Sequence, residues 1–253
     1  MAKKIFATLV VLIFCVTLIF YHPGNQKAQA LKESKEQSEE TVESHEKIAT
    51  NESKKVELPG KRDDWNLVLV NNTHEIKKEP TDLVTVDGGK QIDRRIEEPF
   101  KALMTGAKDA NIQLTVISGY RSVAEQTAVV NESINSYINQ GISEEEAKKK
   151  TYEYMTIPGH SEHHTGLAVD VLESGWNASG KGLEENFSDT DAGKWLDEHV
   201  ADYGFVIRYT KGKEKITEIN YEPWHLRYVG KENAKYMTEN HLVLEEYVNQ
   251  LKE

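Results

Sequence analysis

The beginning of this chain differs so strongly from the remainder that its 253 residues cannot form a single globule. Lys3 and Lys4 precede an uncharged apolar run that covers residues 5–20. A run of this length is typical of the core of an export signal and is slightly short for a membrane-spanning helix. Ala28 and Ala30 supply the small-x-small pattern at which a signal peptidase cuts. The segment is therefore interpreted as a signal peptide cut after Ala30 or as an uncleaved membrane anchor, and both interpretations stay open.

Residues 31–58 form a second zone, which is rich in Glu, Lys, Ser and Thr and has no aromatic residue. Its scattered Val, Ile and Leu residues follow neither a helical nor a strand period, so this zone is predicted to be a disordered polar linker. The signal or anchor is accordingly assigned to residues 1–30 and the folded domain to residues 59–253.

Charge and cysteine content limit which partners the folded domain can bind and what can stabilise it. Residues 1–30 and 31–58 carry net charges of +3 and −3, so the total of −11 falls on residues 59–253. An acidic domain of this kind argues against nucleic acid as a partner. Because the single cysteine, Cys15, lies in the apolar run, the domain can form no disulfide. Its stability must come from a core, from a metal or from both.

Hydrophobic periodicity predicts both strands and helices in the folded domain. Ser122 and Glu125 match a capping box at the start of the helix predicted from residue 122. Pro99 indicates that the helix predicted from residue 93 begins or kinks at this proline. Strands are predicted at residues 65–70, 112–117, 167–172 and 205–209. Helices are predicted at residues 93–110, 122–140, 143–154 and 192–200, with a helix pair or one bent helix from residue 230 onward. Because helices come first and strands gather toward the end, we expect an α+β fold rather than a wound parallel sheet.

A loop with three histidines leads into the predicted strand that carries Asp170. These histidines are His160, His163 and His164. Alternation places Asp170 on the strand face where its neighbour is only alanine, which leaves room for a ligand. Gly166 permits a sharp turn that can fold His163 back over Asp170. Taken alone, the same stretch could be a polar loop whose Asp is satisfied by backbone groups.

A second constellation begins 52 residues after Asp170, where Glu222 and His225 flank Pro223 and Trp224. A flat strand would point Glu222 and His225 in opposite directions, so we expect a Pro-kinked turn that makes them converge. Two imidazoles and one carboxylate are a common ligand set for a catalytic zinc and leave a fourth position for water. A further carboxylate that is not a ligand can take the proton from that water, and Glu222 fits this role.

These motifs resemble the zinc D,D- and L,D-carboxypeptidases of peptidoglycan, the family that includes the VanY and LdcB enzymes. The resemblance covers about residues 63–240. It rests on the pattern Ser161-x-His163-x-x-Gly166-x-Ala168-x-Asp170, on Glu222-x-x-His225, on residues 118–122 with Gln126, and on residues 67–71. It implies a single zinc peptidase domain with an antiparallel sheet flanked by helices.

The same resemblance implies a role for individual residues. One zinc ion would be bound by His163, Asp170 and His225, and Glu222 would be the catalytic base. Three further residues would engage the substrate, namely Arg121, Gln126 and Ser161. The family spacing selects His163 among the clustered histidines, so His160 and His164 are expected not to be ligands.

Arg121 also has a physical argument of its own. A carboxypeptidase must recognise a terminal carboxylate, and a guanidinium offers a planar two-pronged donor for it. The alternative is a salt bridge between Arg121 and a nearby Asp or Glu. The predicted position of Arg121 at a strand-to-helix junction, where sites tend to lie, favours the substrate role.

The sequence therefore predicts an extracytoplasmic zinc carboxypeptidase that removes the C-terminal D-alanine from peptidoglycan stem peptides. D,D-carboxypeptidase activity is favoured, and L,D-carboxypeptidase activity on tetrapeptide stems is the alternative. A catalytically inactive, zinc-stabilised module that binds wall peptides is also considered, but it would not need Glu222 beside the metal. An endopeptidase that cuts cross-bridges would not require Arg121. The protein is expected to be secreted or membrane-anchored and associated with the cell wall, with membrane contact through residues 1–30 if they are uncleaved.

Overall fold

The computed structural model describes residues 57–251. The predicted signal or anchor at residues 1–30 and the predicted linker up to residue 56 lie outside the described residues. Within residues 57–251, no helix combines the length and the apolar character that crossing a bilayer requires.

The described residues contain six β-strands and eight α-helices, joined by loops and short 3₁₀ turns. The strands are β1 (Leu83–Thr85), β2 (Gln91–Asp93), β3 (Leu114–Ser118), β4 (Ala168–Glu173), β5 (Phe205–Tyr209) and β6 (Glu222–Tyr228). The helices are α1 (Glu97–Asp109), α2 (Val123–Asn139), α3 (Glu144–Tyr152), α4 (Ser174–Ala178), α5 (Asp191–His199), α6 (Glu214–Thr217), α7 (Lys231–Glu239) and α8 (Leu244–Gln250).

Four strands form the sheet that carries the site, in the order β3-β4-β6-β5. Every neighbouring pair in this sheet is antiparallel, and β1 and β2 form a separate antiparallel pair. The predicted α+β class with an antiparallel sheet is therefore confirmed, although helices and strands interleave along the chain more than expected. On the central strands Asp170 lies opposite His225, and Ser118 of β3 lies opposite Asp170. The register thus brings together residues that are far apart in sequence.

Apolar packing holds this sheet in place without disulfides. The main buried cluster joins Leu103 of α1, Val171 of β4, Leu196 of α5 and Phe205 of β5. Fully burying one such side chain contributes about 1.5–3 kcal/mol. A second cluster packs α7 and α8 against other parts of the chain. Packing against α1 and α5 therefore holds the strands that carry the site in place.

Local signals predicted six of the eight helices in residues 57–251 and missed the short helices α4 and α6. The capping box of α2 is present, since the Ser122 hydroxyl accepts from the Glu125 amide and the Glu125 carboxylate accepts from the Ser122 amide. Pro99 lies in the first turn of α1, where a missing N–H costs no helical hydrogen bond. Of the two possibilities for the end of the chain, the helix pair is correct, as α7 and α8 are separate.

The strand predicted at residues 65–70 is wrong. A 3₁₀ turn covers Trp65–Leu67, and no strand follows it up to residue 70. The reason is a side chain from β6: the Arg227 guanidinium donates to the carbonyls of Asn66, at 3.2 Å, and Val68, at 2.7 Å. These carbonyls are satisfied by a buried arginine instead of by a neighbouring strand.

The Pro-kinked turn predicted around Pro223 is also wrong, because Glu222–Tyr228 is strand β6. Ile207 of β5 pairs with Leu226 of β6, and Tyr209 pairs with Glu222. A step of two residues along β5 therefore corresponds to a step of four residues along β6. The two additional residues make a bulge in β6, which breaks strict alternation. The bulge, and not a turn, lets Glu222 and His225 converge.

Candidate active site

A tight turn presents His163 to the site. Ser161 caps a 3₁₀ turn at Glu162–Thr165, which ends at Gly166 in the left-handed conformation with φ of 67°. As expected from Gly166, the turn folds His163 back so that its Nε2 lies 3.1 Å from Oδ2 of Asp170. The Nδ1–H of His163 donates to the Gly119 carbonyl at 2.8 Å. That bond fixes the tautomer, so the Nε2 lone pair points toward Asp170.

His225 reaches the same point from the neighbouring strand. Its Nδ1 lies 3.0 Å from Oδ1 of Asp170, and ligand atoms of His163, Asp170 and His225 all lie within 4.8 Å of one another. All three side chains are buried. Despite the short distance, Oδ1 of Asp170 forms no hydrogen bond within residues 57–251. A buried anionic oxygen that accepts no hydrogen bond, beside two imidazole nitrogens, suits a divalent cation with nitrogen and oxygen ligands such as zinc.

The charges of these groups fit a cation as well. Burial alone would raise the pKa of Asp170, but His163 and His225 outweigh that effect and hold this pKa well below its usual range. Burial alone would lower the pKa of His225, but its contacts with Asp170 and Glu162 raise it to about 10. In the metal-free protein the buried site therefore contains a carboxylate balanced by an imidazolium, whose proton a metal ion would replace.

Glu222 lies beside this cluster without belonging to it. Its Oε2 is 3.6 Å from Nδ1 of His225, and the side chain is buried. Burial raises the pKa of Glu222 to about 8, an effect that the charge of His225 opposes and that of Asp170 reinforces. A carboxyl group whose pKa is near neutral can both accept and return a proton.

Arg121 lies in the same cavity as the predicted ligands and Glu222. Its guanidinium donates to Gln126 Oε1 at 2.6 Å and to Ser118 Oγ at 2.7 Å. No carboxylate of residues 57–251 forms a salt bridge with it. The alternative of an internal salt bridge is therefore not what the structure shows. Arg121 is held by neutral oxygens, and its charge remains available to a ligand.

The two other predicted substrate residues, Gln126 and Ser161, line the cavity but are already engaged by the protein. Gln126 accepts from Arg121 and donates to the Thr156 carbonyl at 2.9 Å. The Ser161 hydroxyl accepts from the His163 amide at 3.3 Å. These contacts orient Arg121, which was predicted to bind the substrate, and His163, which was predicted to bind the metal.

The remaining clustered histidines lie outside the three-residue group, as expected. His160 donates through Nδ1 to the Asn71 carbonyl at 2.8 Å. His164 donates through Nδ1 to the Arg121 carbonyl at 2.6 Å and accepts the Gly159 amide at Nε2. Both ring nitrogens of His164 are used, so this residue supports the backbone of Arg121.

The cavity over the site has a volume of about 670 Å³ and extends well beyond His163, Asp170 and His225. Its walls include Tyr209 and Lys150, neither of which was singled out in the sequence. The Tyr209 ring packs 4.9 Å from that of His225. Glu162, which contacts His225 from behind, was also missed. A carboxylate next to His163 was the available signal for Glu162, whereas nothing local pointed to Tyr209.

An antiparallel α+β domain with a buried two-histidine, one-aspartate cluster and a separate carboxylate in one cleft defines a metal-dependent hydrolase. The family model described as "VanY: D-alanyl-D-alanine carboxypeptidase" matches residues 89–231. The chain belongs to this family, and the predicted class, a zinc carboxypeptidase, is confirmed.

Individual relatives support the same placement. The putative carboxypeptidase YodJ of Bacillus subtilis is 36% identical over 197 residues, which cover 74% of this chain and 68% of YodJ. A D-alanyl-D-alanine carboxypeptidase of Enterococcus faecalis is 34% identical, covering 75% of this chain and 68% of the relative.

Solved structures give the same result for the fold. VanYB in complex with D-alanine-D-alanine is 34% identical with a TM-score of 0.67, covering 75% of this chain and 100% of that one. The LD-carboxypeptidase LdcB is 35% identical with a TM-score of 0.62, covering 74% of this chain and 88% of that one. A VanY variant was solved in complex with Zn(II), which agrees with the predicted cofactor.

Proposed function

We propose that this protein is a zinc-dependent D,D-carboxypeptidase that removes the terminal D-alanine from peptidoglycan stem peptides. The observation that carries the proposal is the juxtaposition of Glu222 with the cluster of His163, Asp170 and His225 in a cavity that also contains Arg121. Ligand set, base and carboxylate receptor then surround one space, as hydrolysis of a terminal peptide bond requires.

In this proposal zinc would be held by Nε2 of His163, a carboxylate oxygen of Asp170 and Nδ1 of His225. Bound zinc lowers the pKa of water and polarises a carbonyl group. The unpartnered Oδ1 of Asp170 and the fixed tautomer of His163 support this ligand set.

Glu222 acts as the base. Its carboxylate takes one proton from the attacking water, whose oxygen forms a bond to the carbonyl carbon of the penultimate residue. When the C–N bond breaks, Glu222 returns the proton to the amino group of the departing D-alanine. Burial of Glu222 supports this role, since the pKa of the carboxyl is raised into the range in which it can exchange protons.

Arg121 binds the free carboxylate of the terminal residue. Its hydrogen-bond partners Gln126 and Ser118 are neutral, and no carboxylate of residues 57–251 forms a salt bridge with it, so a substrate carboxylate gains a charge-assisted hydrogen bond there. This residue makes the reaction an exopeptidase reaction, since a cross-bridge without a terminal carboxylate would leave the guanidinium unpaired.

The similarity to LdcB favours a second candidate, L,D-carboxypeptidase activity on tetrapeptide stems. The curated relatives named as D-alanyl-D-alanine carboxypeptidases, and the VanYB structure with D-alanine-D-alanine, support the D,D assignment.

Three synthetic stems test the substrate assignment: the free-acid pentapeptide, its C-terminal amide and the free-acid tetrapeptide. Mass spectrometry should show rapid loss of one alanine from the pentapeptide acid and a slower reaction of the amide. The loss for the amide should be about 2–5 kcal/mol of transition-state binding. Equal rates for acid and amide would refute the role of Arg121, and cleavage of the tetrapeptide alone would replace the D,D assignment by the L,D one.

We further propose that residues 1–30 export the chain and that residues 31–58 let the catalytic domain at 59–253 reach into the wall. The apolar run after Lys3 and Lys4, the polar composition of residues 31–58 and the peptidoglycan recognition of the related LdcB support this location. Fractionation with N-terminal sequencing tests it. An intact start in the membrane indicates an anchor, a mature start at Leu31 indicates secretion, and an unprocessed chain in the cytosol contradicts both.

A further inference from the structure

A buried carboxylate, Glu162, lies behind the proposed metal ligands and takes no part in the reaction described above. Its side chain is fully buried and directly precedes His163 in sequence. Oε2 of Glu162 lies 3.4 Å from Nε2 of His225, the ring nitrogen opposite the one that faces Asp170. Glu162 therefore contacts a proposed ligand on its outer side.

The other oxygen of Glu162 is occupied by two arginines. Oε1 accepts from Nε of Arg208 at 2.7 Å and from Nη1 of Arg227 at 2.6 Å, and both guanidiniums are buried. Within residues 57–251, His225 is then the hydrogen-bond partner left for Oε2. The arginines hold the carboxylate in one orientation, and that orientation aims Oε2 at the imidazole.

We propose that Glu162 is a positioning residue for the metal: it accepts a hydrogen bond from Nε2–H of His225 and so selects the tautomer whose Nδ1 lone pair faces zinc. A ligand histidine that donates its other N–H to a carboxylate is held in ring orientation and becomes a better donor to the metal. The inference rests on the proposed function, since it takes His225 as a zinc ligand.

A purely structural role would be that Glu162 only neutralises the two buried arginines. Glu245 offers a direct comparison, because it forms two hydrogen bonds with Arg208, at 2.9 Å and 2.6 Å, and contacts none of the proposed ligands. If Glu162 only neutralised buried arginines, removing the charge of Glu245 and removing the charge of Glu162 should weaken zinc binding to a similar extent.

The substitution Glu162→Gln tests the tautomer argument with little change in shape. Glutamine has a single acceptor oxygen, and the two arginines at the Oε1 position require it. The amide NH₂ then faces Nε2 of His225, and two donors meet unless His225 moves its proton to Nδ1. With the proton on Nδ1 that nitrogen cannot bind zinc, so the substitution favours the tautomer that does not bind.

Zinc affinity, measured by competition with a chromophoric chelator, is the readout. We expect Glu162→Gln to weaken zinc binding by about 10- to 100-fold while Glu245→Gln stays close to the wild type. Near-ultraviolet circular dichroism of each variant checks that its tertiary packing is intact. Wild-type affinity in folded Glu162→Gln, or an equal loss in both variants, would overturn the proposal.

Two further measurements keep the test decisive. His225→Ala should lose zinc far more severely; if it kept wild-type affinity, the proposed ligand set would fail rather than the role of Glu162. Should Glu162→Gln not fold, long-range ¹H–¹⁵N spectra of the wild-type zinc protein give the answer directly. We expect a proton on Nε2 of His225 that exchanges slowly with water, and an absent or rapidly exchanging proton there would overturn the proposal.

Discussion

At the scale of single residues, two carboxylates share one buried space but differ in their affinity for protons. The pKa of Asp170 lies well below its usual range because of its two histidine neighbours, whereas burial raises that of Glu222 to about 8. Environments that separate the pKa values of neighbouring acids assign their roles. Asp170 is suited to remain charged as a ligand, and Glu222 is suited to exchange protons.

Replacing Glu222 by glutamine should separate metal binding from turnover. We expect Glu222→Gln to retain zinc and to lose about 10²–10⁴-fold in kcat, because the general base is removed while the ligands stay in place. His225→Ala should instead lose the metal. Zinc content by atomic absorption and kcat on the pentapeptide are the measurements. A glutamine variant with wild-type turnover would place water activation elsewhere.

Zinc binding should release protons at neutral pH. In the metal-free protein the pKa of His225 is raised to about 10, so below that pH the ring carries a proton that zinc must displace. The apparent zinc affinity should therefore rise with pH up to about 10, with release of about one proton or more per site. Calorimetry in buffers of different ionisation enthalpy measures this release. A binding enthalpy that does not depend on the buffer would contradict the expected protonation of His225.

Removing the guanidinium should abolish the preference for a free terminal carboxylate. In Arg121→Gln we expect kcat/KM on the pentapeptide acid to fall by one to several decades, while the rate on the amide changes little, because only the acid forms the charge-assisted pair. Lys150→Gln, which removes another cation from the cavity wall, is the matched control. If Lys150→Gln rather than Arg121→Gln removed the preference, the carboxylate receptor would be misassigned.

At the scale of elements, the site depends on the register between β4 and β6 and on the turn before β4. Asp170 lies opposite His225 across the strands, and the turn ending at Gly166 returns His163 to the same point. Sequence periodicity predicted β4 and β5 closely because their apolar residues alternate or run continuously. It did not predict β6, because its bulge arises from pairing with β5, which no local pattern records.

The turn offers a clean test of this element. At Gly166 φ is +67°, and an added Cβ would lie 2.8 Å from the backbone nitrogen of Asp93. Gly180 has a φ of +77° but nothing within 4 Å of the same position. Gly180→Ala should cost about 1–2 kcal/mol from the left-handed backbone alone, and Gly166→Ala clearly more. Urea unfolding measures the free energy of unfolding of both variants. Equal losses would show that the close approach to Asp93 adds no destabilisation.

At the scale of the whole molecule, a domain without disulfides combines an apolar core with a buried cluster of residues that could hold a metal. The motif residues could be predicted from sequence because a ligand set and a base are recognised by residue type and spacing. The hydrogen-bonded network behind these residues could not be predicted, since Glu162, Arg208 and Arg227 are distant in sequence and are brought together only by the fold. Arg227 also explains why residues 65–70 do not form the predicted strand, since its guanidinium donates to the carbonyls of Asn66 and Val68. The local sequence of residues 65–70 does not reveal this contact with a distant residue.

Metal removal should destabilise the whole domain. A ligand that binds only the folded state stabilises it by about 2.7 kcal/mol at one hundred times its dissociation constant. For a domain of this size, we expect chelation to lower the Tm by about 5–10 °C, with recovery on adding zinc. Calorimetry with and without zinc measures the shift, with His225→Ala as the control that should show none. A Tm unaffected by zinc in the wild type would contradict a buried metal site.

Release of one terminal D-alanine should require zinc. Mass spectrometry of a free-acid pentapeptide stem, incubated with the protein before chelation, after chelation and after zinc is restored, measures this requirement. We expect a product lighter by one alanine residue with the zinc-loaded protein, none with verifiably metal-free protein, and recovery on adding zinc. Undiminished cleavage by metal-free protein, or no cleavage of any stem by the zinc-loaded protein, would contradict this expectation.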